Sequence, residues 1–251
     1  MNVLRSQSLR IAWTAVGIGL LTACGGAGPA ETETADEVAP EAPTERAPAG
    51  EVGAAGTSME VSGLLGTIPE HKVQQVFERK MDALGECYGL AIEVLEEIEG
   101  QLEVSLAVGA DGSVTEVFLR DGTLGSVEAE ECIRGKVERF RFPAPEGGGR
   151  AEVSYPLVLD APYDPPEPQN WSGPRLNEVV AANTADMERC LAGQTGVQLT
   201  LYIGPGGQVV SAGATADTAE LYDAALCLAR AAASWVFPDP GEQPAKATAE
   251  F

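Results

Sequence analysis

The chain has 251 residues, with 38 acidic side chains against 16 basic ones and a formal net charge of −22. A protein this acidic repels phosphate backbones and anionic bilayer surfaces, which excludes nucleic acid as an expected partner. A single histidine and five cysteines supply little for metal or acid–base chemistry and turn attention to export and disulfides.

Arg5 and Arg10 form a short basic region ahead of Ile11 to Leu21, which is apolar apart from Thr14. That run has the length of a signal-peptide core and is too short to span a bilayer. Leu21-Thr22-Ala23-Cys24-Gly25 then resembles the bacterial lipobox. The resemblance implies a signal peptide over residues 1–23 and lipidation of Cys24 as the first mature residue. Loss of Arg5 and Arg10 would take the net charge from −22 to −24. Gly25 is not Asp, which by the same analogy directs the lipoprotein to the outer membrane, facing the periplasm.

Residues 24–60 read as an acidic Ala/Pro/Glu/Thr linker. Between residues 25 and 60 there are eight acids, one base (Arg46) and no aromatic residue. Such a tract cannot bury enough apolar surface to offset its ordering entropy, so it is expected to be a disordered tether. As a coil it would span on the order of 30–35 Å.

The first folded unit is expected over residues 61–161. Pro69-Glu70 suits a helix start, and Val73, Val76, Phe77, Leu84, Cys87, Tyr88 and Ala91 follow at helical spacing. Leu102, Val104, Leu106 and Val108 alternate with Glu103, Ser105 and Ala107 as a half-buried strand. Ala110-Asp111-Gly112 is a tight turn, and Val114 to Arg120 forms the returning strand. A second helix is expected over about Val127 to Phe140, ended by Phe142-Pro143, and a last strand over Val153 to Leu159.

Pro162 to Pro168 carries four prolines, so residues 162–170 read as a stiff spacer. Residues 171–251 then repeat the order helix, strand, strand, helix, strand. Gly109-Ala-Asp-Gly112-Ser-Val114, Cys132 and Phe140-Arg141-Phe142-Pro143 return as Gly204-Pro-Gly-Gly207-Gln-Val209, Cys227 and Trp235-Val236-Phe237-Pro238, each displaced by 95 residues. A register kept over this many landmarks indicates a duplicated unit. The second copy lacks the material equivalent to Ile92 to Ile98. Four cysteines beyond Cys24 allow three pairings; each repeat holds two, so the duplication selects Cys87 with Cys132 and Cys190 with Cys227.

Cys87-Tyr88, Gly109-x-Asp-Gly112-x-Val114, Thr123-Leu124, Cys132-Ile133, Phe140-x-Phe142-Pro143-x-Pro145, Gly147-Gly148 and Tyr155-Pro156 together resemble the AgmX/PglI C-terminal domain, a relative of the TonB C-terminal domain. The match covers residues 62–160. The second copy keeps the turn, the cysteines and Trp235-x-Phe237-Pro238-x-Pro240, and loses the tyrosine and the Tyr-Pro. The resemblance implies an α+β fold of two tandem small TonB-like domains, each an antiparallel sheet with helices on one face. It also implies an envelope interaction module, in a family linked to gliding motility.

Catalytic groups are scarce, so no enzyme, cofactor or metal site is expected. His71 stands alone in a helical first turn, and Asp111-Gly112 lacks further ligands at EF-hand spacing. Gly109-x-x-Gly112 and Gly147-Gly148-Gly149 lack a Lys-Ser/Thr follower and read as turns. Glu96-Glu97 and Glu130-Glu131 read as solvated surface. The leading expectation is a non-enzymatic lipoprotein docking unidentified envelope proteins by strand addition near Val153 to Leu159 or Lys246 to Phe251, and touching membrane only through Cys24. The alternative is a binder of cell wall or a small ligand, with a pocket lined by Trp171 and Tyr163. Trp171, Trp235 and Phe140 are otherwise expected in the core.

Overall fold

The computed structural model describes residues 66–162 and 165–251. The signal-peptide core, Cys24, the acidic tract and Tyr163 lie outside the described residues.

The first half runs α1 (Glu70–Glu78), α2 (Met81–Ile92), β1 (Gly100–Val108), β2 (Val114–Arg120), α3 (Val127–Val137) and β3 (Ala151–Leu159). The second runs β4 (Gln169–Trp171), α4 (Pro174–Ala182), α5 (Thr184–Leu191), β5 (Val197–Ile203), β6 (Val209–Ala216), α6 (Tyr222–Ala232) and β7 (Ala245–Glu250). The fold is α+β. An antiparallel sheet ordered β2-β1-β3 precedes a mixed sheet ordered β4-β7-β5-β6, in which only β4 and β7 run parallel.

Three expectations are corrected. The first helix of each half is broken in two. Phe77 on α1 stacks on Tyr155 of β3 at 3.8 Å between ring centres, whereas Cys87 on α2 bonds to Cys132 on α3. The bend at Arg79-Lys80 lets one face serve both neighbours. In the second half Asn183 makes the break, with its side-chain amide donating to the Val179 carbonyl at 2.8 Å. Next, α3 ends at Val137, and Phe140 is buried in the segment beyond it. Finally, the proline-rich spacer does not reach residue 170: Gln169 to Trp171 form β4 beside β7, covering part of the Lys246 to Phe251 edge.

Each half carries one disulfide, Cys87–Cys132 between α2 and α3 and Cys190–Cys227 between α5 and α6. They close loops of 45 and 37 residues, each stabilising the fold by about 4 kcal/mol on the chain-entropy model.

The repeated motifs have a common physical cause. Gly112 (φ 79°) and Gly207 (φ 78°) end the two hairpin turns in the left-handed region. A β-carbon there would lie 2.1 Å from the Phe142 carbonyl oxygen, or 1.9 Å from that of Phe237. The glycine carbonyls accept from the Phe142 and Phe237 amides at 2.9 and 2.8 Å. The aromatic-x-Phe-Pro segment is thus a strap seated on the hairpin, and glycine is needed because the strap passes against the backbone. Both hairpins also slip register at the same step. The slip makes Thr115 a bulge in β2 and Val210 its counterpart in β6, and turns Val117, Leu119, Ala212 and Ala214 inward.

Gly206 (φ 81°) has open space around its α-carbon, which separates strain from clash. Gly206→Ala should cost about 1–2 kcal/mol, the left-handed penalty alone. Gly207→Ala should cost distinctly more, because the strap must lift; urea unfolding of the two variants checks the ranking.

Candidate functional site

The two halves share a buried joint. The loop from Asp121 to Ser126, between β2 and α3, lies on the face of the second sheet opposite α6. Gly122 N–H donates to Thr215 Oγ1 at 3.1 Å, and Ser211 Oγ donates to the Gly125 carbonyl at 2.7 Å. A β-carbon on Gly125 would press on Thr200 and Tyr202 at about 3 Å, so the loop sits in close contact with the sheet. Thr200 and Tyr202 are buried as a result, although the strand period alone would turn them to solvent.

The stretch missing from the second copy leads into this joint. Ile98 is buried, and its carbonyl accepts from the Tyr88 hydroxyl at 2.6 Å. The next residue, Glu99, reaches the second half through its backbone. The Tyr202 hydroxyl accepts from Glu99 N–H at 3.1 Å and donates to the Glu99 carbonyl at 2.9 Å. Lys246 Nζ donates to the same carbonyl at 2.7 Å and lies 5.1 Å from the Tyr202 ring centre. Burial pushes the Lys246 ammonium down and the Tyr202 phenol up.

Glu130 is the residue that sequence reasoning placed wrongly. Expected as solvated surface, it is fully buried on the inner side of α3. Its Oε1 accepts from the amides of Gly125 and Ser126 at 3.1 and 3.3 Å, and its Oε2 from Ala214 on the edge strand β6 at 3.0 Å. One carboxyl therefore closes the start of α3 and an unpaired edge amide of the other half. Burial pushes it up to about 8, with the three amide donors pulling the other way. Its spacing was the available signal: Glu130, Ile133 and Val137 share the inward stripe. Its neighbour Glu131 pairs with Arg230 of α6 at 2.6 Å, which adds a surface contact across the halves.

A second feature lies at the far edge of the first sheet. Among the described residues β3 pairs only with β1. Beside its outer edge runs α1, and between them opens a cleft of about 460 Å³. Ile68, Val73, Val153 and Tyr155 supply apolar lining, and Glu70 and Glu152 stand at its margins. Phe77 fixes its geometry, packed on Tyr155 and edge-on to Phe140 at 5.5 Å.

Trp171 is buried, tilted against Phe237 and covered by the Arg175 guanidinium, so it is not an exposed anchor. Trp235 is buried, with its indole N–H donating to Asp186 at 2.9 Å. That bond holds the Asp186 carboxyl below its ordinary value. His71 is exposed on α1. No helix among the described residues is long and apolar enough to cross a membrane, and the two disulfides suit an exported chain. The chain matches no family model, no curated protein and no solved structure.

Glu130 makes the joint sensitive to pH. A carboxyl whose folded pKa exceeds its unfolded value takes up a proton on folding. Its stabilisation is complete below about pH 4.5 and is lost as pH rises through about 8. The charged groups around it are already engaged or repulsive: Glu128 on its own helix, Glu131 with Arg230, and Arg134 with Glu138 and the Tyr222 ring. Urea midpoints should fall between about pH 5 and about pH 9, and Glu130→Gln should flatten that fall. An equal slope in both proteins would contradict the assignment.

Proposed function

We propose that the chain is a non-enzymatic cell-envelope lipoprotein, anchored through Cys24, that presents two TonB/AgmX-like modules to other envelope proteins. The lipobox-like Leu21 to Cys24, the acidic tract after it and the duplicated unit support this reading. In it, the tether lifts the paired modules away from an outer-membrane anchor into the periplasm, and a role in a motility-type assembly follows from the family resemblance.

The observation that carries the docking mode is the outer edge of β3 beside α1, which pairs with no strand among the described residues. An unpaired strand edge offers a ladder of amides and carbonyls, and a flanking cleft offers places for alternate side chains of an added strand. The stack of Phe77 on Tyr155 holds helix and strand apart at a fixed spacing, so the site is preformed. The second module presents less edge, because β4 occupies β7 from Ala245 to Ala247. The first module is therefore the principal docking element.

Photo-crosslinking in whole cells tests the proposal. A photoreactive residue at Ser154, on the β3 edge, should give discrete adducts with envelope proteins, and one at exposed Glu178 on α4 should not. Cys24→Ser should abolish palmitate incorporation and deplete the adducts. Equal labelling from both positions, or adducts with cytoplasmic proteins alone, would overturn the reading.

A further inference from the structure

We infer that the cleft between α1 and β3 takes an extended basic segment in which apolar and basic side chains alternate. The inference rests on the strand-addition reading and names the chemistry of the partner.

The position and register of the added strand follow from Pro156. Proline has no N–H, and in a sheet it is placed where that nitrogen faces away from the neighbouring strand. Pro156 lies opposite Glu103 in the ladder with β1, so its nitrogen belongs on the outer side. Ser154 and Glu152, two and four residues earlier, turn their backbone groups the same way. They offer outward amides; Pro156 interrupts the row before Val158, and at the other end the Arg150 carbonyl already accepts from the Gly66 amide at 2.8 Å. The usable edge is thus short and fixed in place.

Side-chain alternation then sets the partner's pattern. Val153 and Tyr155 point to the helix side and Glu152 and Ser154 to the opposite face. Every second side chain of an added strand meets Ile68, just ahead of α1, and Val73 on α1 together with Val153, an apolar lining that suits aliphatic residues. The remaining side chains emerge beside Glu152. Glu70 stands at the helix end of the cleft, and no basic side chain lines it. Arg150 lies 3.9 Å from Glu152 but bonds more closely to Glu116, at 3.1 Å. Glu152 is exposed and available to a cation.

Charge argues against two other occupants. The chain's own tract between residues 25 and 60 carries eight acids and one base, so the two margin carboxylates repel it. A second copy pairing β3 edge to β3 edge brings like carboxylates together across the new ladder, which is unfavourable.

Fluorescence anisotropy on the full chain tests the inference with three labelled hexapeptides: alternating valine and lysine, alternating valine and glutamate, and the lysine peptide N-methylated at alternate residues. The lysine peptide should bind about tenfold or more tighter than the glutamate peptide and weaken with added salt. Methylation should abolish binding, and Glu152→Lys should narrow or reverse the preference. Equal binding of the lysine and glutamate peptides, both sensitive to methylation, would overturn the basic partner and leave strand addition standing. Binding insensitive to methylation would overturn strand addition as well. No binding by any of the three would overturn this inference.

Discussion

The second sheet is covered on its outer side along β5 and β6, and the rest of the architecture depends on that. Its inner side packs on α6 in the ordinary way. Its outer side carries Thr200, Tyr202, Ser211 and Thr215, which are polar and yet buried. Burying such groups is unfavourable unless each finds a partner. The first half supplies partners for three of them, the carbonyl of Gly125 for Ser211, the amide of Gly122 for Thr215 and the backbone of Glu99 for Tyr202, while the Thr200 hydroxyl lies 3.3 Å from that of Thr248 on β7. Glu130 adds the one contact that no hydroxyl provides, a double acceptor reaching the Ala214 amide on the open edge of β6. Gly213 sits where any β-carbon would come within 2.2 Å of that carboxyl, so the edge strand and the acid are fitted to one another.

The duplication explains why the joint has this form. Two copies of one fold tend to meet through corresponding surfaces, as subunits do in a symmetric dimer. The β2–α3 loop of the first half covers the second sheet. Its counterpart, Asp217 to Glu220, approaches the back of the first sheet at Ser105 and Phe118 and leaves a cleft of about 570 Å³. The copies have diverged on this point. Ala225 stands where the repeat would place a second Glu130, and the second copy has lost the segment that ends at Ile98. The covered side has become a joint, while among the described residues the first sheet leaves the outer edge of β3 unpaired and part of its back uncovered. Divergence of this kind leaves the two halves with different surfaces.

Much of this was legible in the residues. The hairpin glycines, the cysteines and the aromatic-x-Phe-Pro straps keep one register because they are a single contact made twice, between a left-handed glycine and a passing phenylalanine carbonyl. What depends on contacts between the halves was not legible. Glu130-Glu131 reads as surface because adjacent acids usually are, and the amide that recruits Glu130 lies 84 residues away. The breaks at Lys80 and Asn183 interrupt apolar stripes that continue in phase across them, so periodicity alone runs straight through. β4 was hidden in a segment whose prolines argue for a spacer, and only pairing with the far C-terminal strand defines it. The β3 edge was named from fold analogy; that α1 frames it as a cleft depends on the Phe77–Tyr155 stack, a contact between residues 78 positions apart in the chain.

If the joint binds the halves as described, neither half has a complete surface without the other, and the pair behaves as one thermodynamic body despite the proline-rich connection. Differential scanning calorimetry of the disulfide-intact chain measures this directly. The account predicts a single endotherm whose calorimetric and van't Hoff enthalpies agree. Two resolved transitions, one for each disulfide-closed half, would contradict it.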